Sequence, residues 1–164
     1  MNKKKMENKG FTLVELIVVL VILAILAAIL VPALLGYIDR AKEKQYVLNA
    51  KSALTATQAE FSSLYGEGID IVDTTYGISS RASIVSSTAD TPANTAFSVK
   101  LDTTNKPASG SVAVPTNHAY YTVKNAVYYE NGHYCIYNGS TWTTQSTKPS
   151  LTDYTAIYGT MPTQ

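Results

Sequence analysis

The stretch Lys9-Gly10-Phe11-Thr12-Leu13-Val14-Glu15, followed by an unbroken apolar run from Leu16 to Val31, decides how this chain must be organised. With Pro32, Ala33, Leu34 and Leu35 the run reaches the length of about twenty residues that a helix needs to cross a bilayer's hydrocarbon. Lys3, Lys4, Lys5 and Lys9 crowd ahead of it, opposed only by Glu7. The positive-inside tendency keeps such lysines on the cytoplasmic side and exports everything from Gly36 onward. One residue does not suit an ordinary anchor. Glu15 places a carboxylate in the apolar surface one helical turn after Phe11, and a charge there needs a partner.

Those residues closely resemble the class III signal of type IV prepilins, the precursors of pilins and pseudopilins. The resemblance runs from residue 8 to about residue 40. It implies that a membrane peptidase cleaves between Gly10 and Phe11 and that Phe11 becomes the N-methylated first residue. It also makes Glu15 the residue that steers assembly and places Pro32 where the family helix commonly carries a proline. The family often has a second helix breaker where Ala24 stands here. Cleavage would create a cationic amine at the membrane edge that Glu15 of a neighbouring subunit can neutralise. Two buried opposite charges are tolerable together and costly apart, so the pair would set register. A conventional secretory signal cut after Val31-Pro32-Ala33 is the competing reading, but its apolar core is overlong and Glu15 stays unexplained.

Beyond Gly36 no strong breaker appears until Gly66-Glu67-Gly68, so one helix is expected from Phe11 to Tyr65. Val47, Ala50, Leu54, Thr57, Phe61 and Leu64 recur at 3-4 spacing and predict the buried stripe of its second half, with Tyr37, Ala41 and Leu48 as an offset row. The first half is too long to be shielded by the remaining hundred or so residues and must find a bilayer or other subunits. Pro32 removes a helical hydrogen bond, which predicts a kink or local melting nearby.

Residues 66–118 are rich in Ser, Thr, Ala and Asp and punctuated by Pro92, Pro107 and Pro115. They read as an irregular connection whose best strand is Ala96 to Leu101. From Tyr120 the composition favours strands at Tyr120 to Lys124, Ala126 to Tyr129, Tyr134 to Tyr137 and Thr141 to Thr144, with hairpin signals at Asn131-Gly132 and Asn138-Gly139. The tail from Leu151 to Gln164 would add a last strand or cover the sheet. The expected fold class is α+β, a long N-terminal helix packed by its second half against a C-terminal antiparallel sheet. In pilin terms the divisions are a leader (1–10), a transmembrane and polymerisation helix (11–35), an amphipathic helix (36–65), a variable region (66–118), and the sheet with its tail (119–164).

Little points to catalysis. His118 and His133 are the only histidines, with no metal-ligand spacing around them, and read as surface or turn residues. Cys135 is the single cysteine, so no intrachain disulfide can form and a buried thiol is expected. That departs from pilins closed by a C-terminal disulfide and fits the disulfide-poor pilins of Gram-positive anaerobes. Asp70, Asp73 and Asp90 match no calcium loop. Of the chain's 12 tyrosines, those from Tyr120 to Tyr137, with Trp142, could form a ligand platform, though alternating burial is the simpler account. Residues 1–10 hold four of the 13 basic and one of the 12 acidic residues, leaving nine against eleven, so no basic stripe remains for nucleic acid. No cofactor or metal is expected. The expected partners are further copies of the chain and other pilins, a prepilin peptidase, the pilus assembly machinery, and the cytoplasmic membrane before export to a fibre. A pseudopilin of a type II secretion or DNA-uptake system shares every N-terminal feature. A membrane-anchored extracellular binding module that never polymerises is the third reading.

Overall fold

The computed structural model describes residues 10–71, 77–101 and 118–162. Two compact units divide at Lys42 and Glu43. The first, Met1–Lys42, contributes to the described residues the opening of a 55-residue helix, α1, which spans Leu13–Glu67 and runs unbroken through Pro32. Its apolar side chains from Leu13 to Leu35 lie exposed, because nothing else among the described residues of that unit packs on them.

The second unit, Glu43–Gln164, holds the rest of α1, a helix α2 at Ala82–Ala89, and five strands: β1 Ala96–Leu101, β2 Val123–Glu130, β3 His133–Tyr137, β4 Trp142–Gln145 and β5 Thr155–Tyr158. Short 3-10 turns at Ile78–Arg81 and His118–Tyr121 precede α2 and β2. α1 ends two residues later than expected. Gly68, at φ 73°, takes the left-handed position; its N–H donates to the Tyr65 carbonyl and that of Ile69 donates to Leu64, a Schellman closure. Gly66 remains helical.

The sheet order is β4-β3-β2-β1-β5, antiparallel at every pairing. Three differences from the sequence reading have physical causes. The two strands expected at Tyr120–Lys124 and Ala126–Tyr129 are one, β2, and Tyr120 and Tyr121 belong to the turn before it. Asn125, which separated the two expected strands, pairs with Lys100, and a bulge follows in which Leu101 pairs with Val123 and Lys124 has no counterpart. The sheet is more than a meander, since β5 crosses back to pair with β1 while the tail also covers the sheet's second face. The connection before β1 is also less irregular than its composition suggested, because it contains α2. Ser83, Ser86, Ser87 and Thr88 carry little helix preference, so burial of Ile78, Val85 and Ala89 selects the helix.

Hairpin chemistry accounts for the register. Asn131 and Gly132 hold φ 49° and 84°, the two positive values of a type I′ turn, between the paired Glu130 and His133. The next loop is four residues long. Asn138 Oδ1 accepts from the backbone N–H groups of Ser140 and Thr141 at 3.0 and 2.9 Å.

The main core joins Ala50, Ala53, Phe61 and Leu64 of α1 to Phe97, Val99, Ala126, Tyr128 and Cys135 of the sheet. Relative to the expected stripe, Tyr46, Ala53 and Ala56 are buried where Val47 and Leu54 are only partly so. Alanines at these positions leave room for the sheet near the helix backbone. On the other face Ala96, Val127 and Tyr134 pack with Met161, Leu151 and Tyr154. Polar ties fix the helix to the sheet. The Gln58 side chain donates to the Tyr121 carbonyl at 2.6 Å and accepts from the Val123 N–H at 3.1 Å, substituting for ladder bonds just where β2 begins. Glu130, buried, accepts from Tyr128 Oη at 2.7 Å and from Asn49 Nδ2 at 2.9 Å. Arg81 reaches Glu60 at 3.1 Å and Glu67 at 2.6 Å, fastening the start of α2 to α1.

Thr57 is the exception: it is fully buried and its hydroxyl has no partner among the described residues. Opposite outcomes follow at two buried polar sites. Thr57→Val keeps the shape and removes the unpaired group, so it should raise unfolding stability by about 1 kcal/mol. Glu130→Ala strands the Tyr128 hydroxyl and the Asn49 amide and should cost about 2 kcal/mol. Denaturant midpoints of the two variants and the parent, in one detergent, measure both.

Candidate functional site

Phe11 to Glu15 form the start of α1, and their side chains explain why it starts there. Thr12 is the N-cap: its carbonyl accepts the Leu16 N–H at 3.3 Å, the first bond of the helix. Its hydroxyl accepts the Glu15 N–H at 3.3 Å, and Glu15 Oε2 accepts in return from the Thr12 N–H at 2.9 Å and the Thr12 hydroxyl at 2.8 Å. This is a capping box, in which two N–H groups without helical partners are satisfied reciprocally. The carboxylate also lies at the positive end of the helix dipole. The sequence carried this signal, Thr12 followed three residues later by Glu15 and an apolar run, and Thr12 is the residue missed in reading it.

Only one of the two carboxylate oxygens takes part. No hydrogen bond among the described residues engages Glu15 Oε1, and the side chain is exposed, so a donor from outside the chain can reach it. Phe11 is 86% exposed, immediately before the cap. At Gly10 a Cβ would meet nothing within 4 Å. The fold imposes no steric need for glycine at that position. Pro32 lies within the same helix, well beyond the cap.

The other candidates lie in the second unit and, among the described residues, do not gather into a site. Cys135 is fully buried, and its burial, with Glu130 nearby, pushes the thiol up to about 12, so it is protonated and unreactive at neutral pH. His133 is only partly a surface residue: it stacks on Tyr46 of α1, ring centroids 5.1 Å apart, and fastens the hairpin to the helix. His118 opens a 3-10 turn. Among the described residues no three His, Cys, Asp or Glu side chains approach closely enough to share a metal ion. Asp70 accepts the Tyr120 hydroxyl at 3.0 Å, Asp90 terminates α2 at φ 51°, and Asp73 lies outside the described residues. The supposed tyrosine platform divides by burial. Tyr120, Tyr121, Tyr128 and Tyr134 are buried, and burial raises the first three hydroxyls above the usual tyrosine range. Tyr129, Tyr137 and Trp142 are half-buried.

α1 is long and apolar enough to cross a membrane. Residues 5–31 match the family model described as the prokaryotic N-terminal methylation motif. The chain thus carries the class III signal of type IV pilins, followed by a long apolar helix and a pilin-like α+β architecture. The match ends within the apolar opening of α1 and reaches no part of the sheet. No curated protein and no solved structure matched the chain.

The capping box makes its own prediction. Thr12→Ala removes the hydroxyl that both accepts from and donates to residue 15, and the first turn should open roughly fivefold more often. Hydrogen exchange of the Glu15 and Leu16 amides, in detergent or bilayer, should accelerate accordingly, while the amides of β2 stay unchanged.

Proposed function

We propose that this chain is a type IV pilin subunit, cut between Gly10 and Phe11, N-methylated on Phe11, and assembled through α1 with further copies into an extracellular fibre for adhesion or surface motility. The observation that carries the reading is Glu15, a half-committed carboxylate on an exposed apolar helix, five residues beyond a glycine that the fold does not require. The glycine then answers to an external reader, a prepilin peptidase. Before cleavage Glu15 caps its own helix. After cleavage a methylated amine stands at Phe11, and Glu15 Oε1 is open to such an amine on a neighbouring copy.

The same arrangement explains why assembly would be in register. The exposed side chains from Leu13 to Leu35 favour burial in any orientation that hides them, and area alone cannot select one. A copy placed out of register would leave both an amine and a carboxylate unpaired within apolar surroundings. While in the cytoplasmic membrane as a single-pass precursor, the chain would have its N-terminus inside and the Glu43–Gln164 unit outside. The subunit itself would be structural, with the pilus machinery supplying the work of assembly.

Gly10→Ile should accumulate uncleaved in the membrane, whereas N-terminal sequencing of the parent should begin at Phe11. A mature chain beginning at Leu34 would instead identify a conventional secretory signal. Glu15→Ala should insert and be cleaved normally yet yield few fibres; normal fibre yield would remove its assembly role. Electron microscopy with antibody to residues 66–164 should decorate long surface fibres. Short, wall-confined structures would transfer the reading to a pseudopilin of a secretion or DNA-uptake system.

A further inference from the structure

At the end of the sheet where β1 begins, the β2–β3 hairpin turns and the chain leaves β5, two adjoining hollows share Asn94, Thr95 and Gly159. Their volumes are about 480 and 560 Å³, the larger completed by Tyr129, Asn131 and Thr160. Both lie within the range of about 300–1,000 Å³ typical of small-molecule sites. Among the described residues, no side chain lining either hollow carries a formal charge at neutral pH.

The parts are held in place by the fold. Asn94 and Asn131 sit in left-handed backbone positions, φ 65° and 49°, with exposed side chains. No hydrogen bond among the described residues engages either amide. Tyr129, half-buried, is braced by the buried Tyr134 with ring centroids 4.9 Å apart. Gly159, at φ 66°, passes so close to the Thr95 carbonyl that any Cβ would collide with it, so the wall there is bare backbone.

This chemistry is selective. A charged ligand would lose hydration and gain no ion pair, and a purely apolar one would cover two amides without satisfying them. An amide both donates and accepts, which matches a hydroxyl, and an aromatic ring suits a flat face of C–H groups. We propose that this cleft binds a neutral oligosaccharide, with one sugar face against Tyr129 and its hydroxyls bridging the side chains of Asn94 and Asn131. The site would give the chain a recognition function of its own, independent of whether it polymerises.

The test uses the full-length chain in a detergent without sugar headgroups, titrated calorimetrically with maltotetraose, cellotetraose and tetra-N-acetylchitotetraose, and with trigalacturonate as the charged control. At least one neutral sugar should bind saturably and at least about tenfold more tightly than trigalacturonate. Asn131→Asp and Asn94→Asp tolerate positive φ and keep the side-chain shape. Each should weaken binding about tenfold, as should Tyr129→Leu, with the unfolding midpoints of the two Asp variants unchanged. No saturable binding of any neutral sugar, binding that survives all three substitutions, or tighter binding of trigalacturonate would each overturn the proposal. A cleft that serves an extended peptide would give the first of those results.

Discussion

Everything in this chain follows from one helix that has to satisfy two different surroundings. Up to Leu35 the side chains of α1, Glu15 apart, are apolar on every face and exposed, so that segment is stable only in hydrocarbon or against others like it. From Tyr46 onward one face is buried and the other polar. The Glu43–Gln164 unit inherits its layout from that second stretch. Ala50, Ala53 and Ala56 provide a low surface, the sheet lies on it, and Gln58, Asn49 and Arg81's two glutamate partners fix the position by directional bonds.

The buried polar groups divide between those that specify and one that does not. Glu130 has two donors from different elements, so it ties a particular residue of α1 to a particular strand, which nonspecific apolar contact cannot do. Gln58 completes the ladder at a point where the backbone has not yet become a strand. Thr57 does neither, because its hydroxyl has no partner among the described residues.

Legibility in the sequence followed the range of the interactions. The apolar run, the breaker at Gly66-Glu67-Gly68, the Asn131-Gly132 turn and the strand at Ala96–Leu101 are local signals, and each identified its element within two residues. The crossing of β5 to β1 and the existence of α2 depend on partners distant in sequence, and nothing within either segment announces them. Asn125 reads as a strand break for the same reason, since its pairing with Lys100 depends on a partner strand distant in sequence. The start of α1 is the opposite case, since the Thr12–Glu15 pair is fully local, but a carboxylate there reads equally as an unpaired charge in an apolar run and as half of a capping box.

That last point bears on how an apolar helix can carry a carboxylate at all. Under the proposed assembly role, the charge would need a tolerable state before its partner arrives, because an unpaired carboxylate is costly in apolar surroundings. The capping box provides one, because N-terminal N–H groups require an acceptor whatever else the chain does. Glu15 satisfies that need with a single oxygen. In the assembly proposed above, the waiting and assembled states would therefore not compete for the same atom, and a neighbouring amine would be accepted without first dismantling the cap that keeps the helix formed.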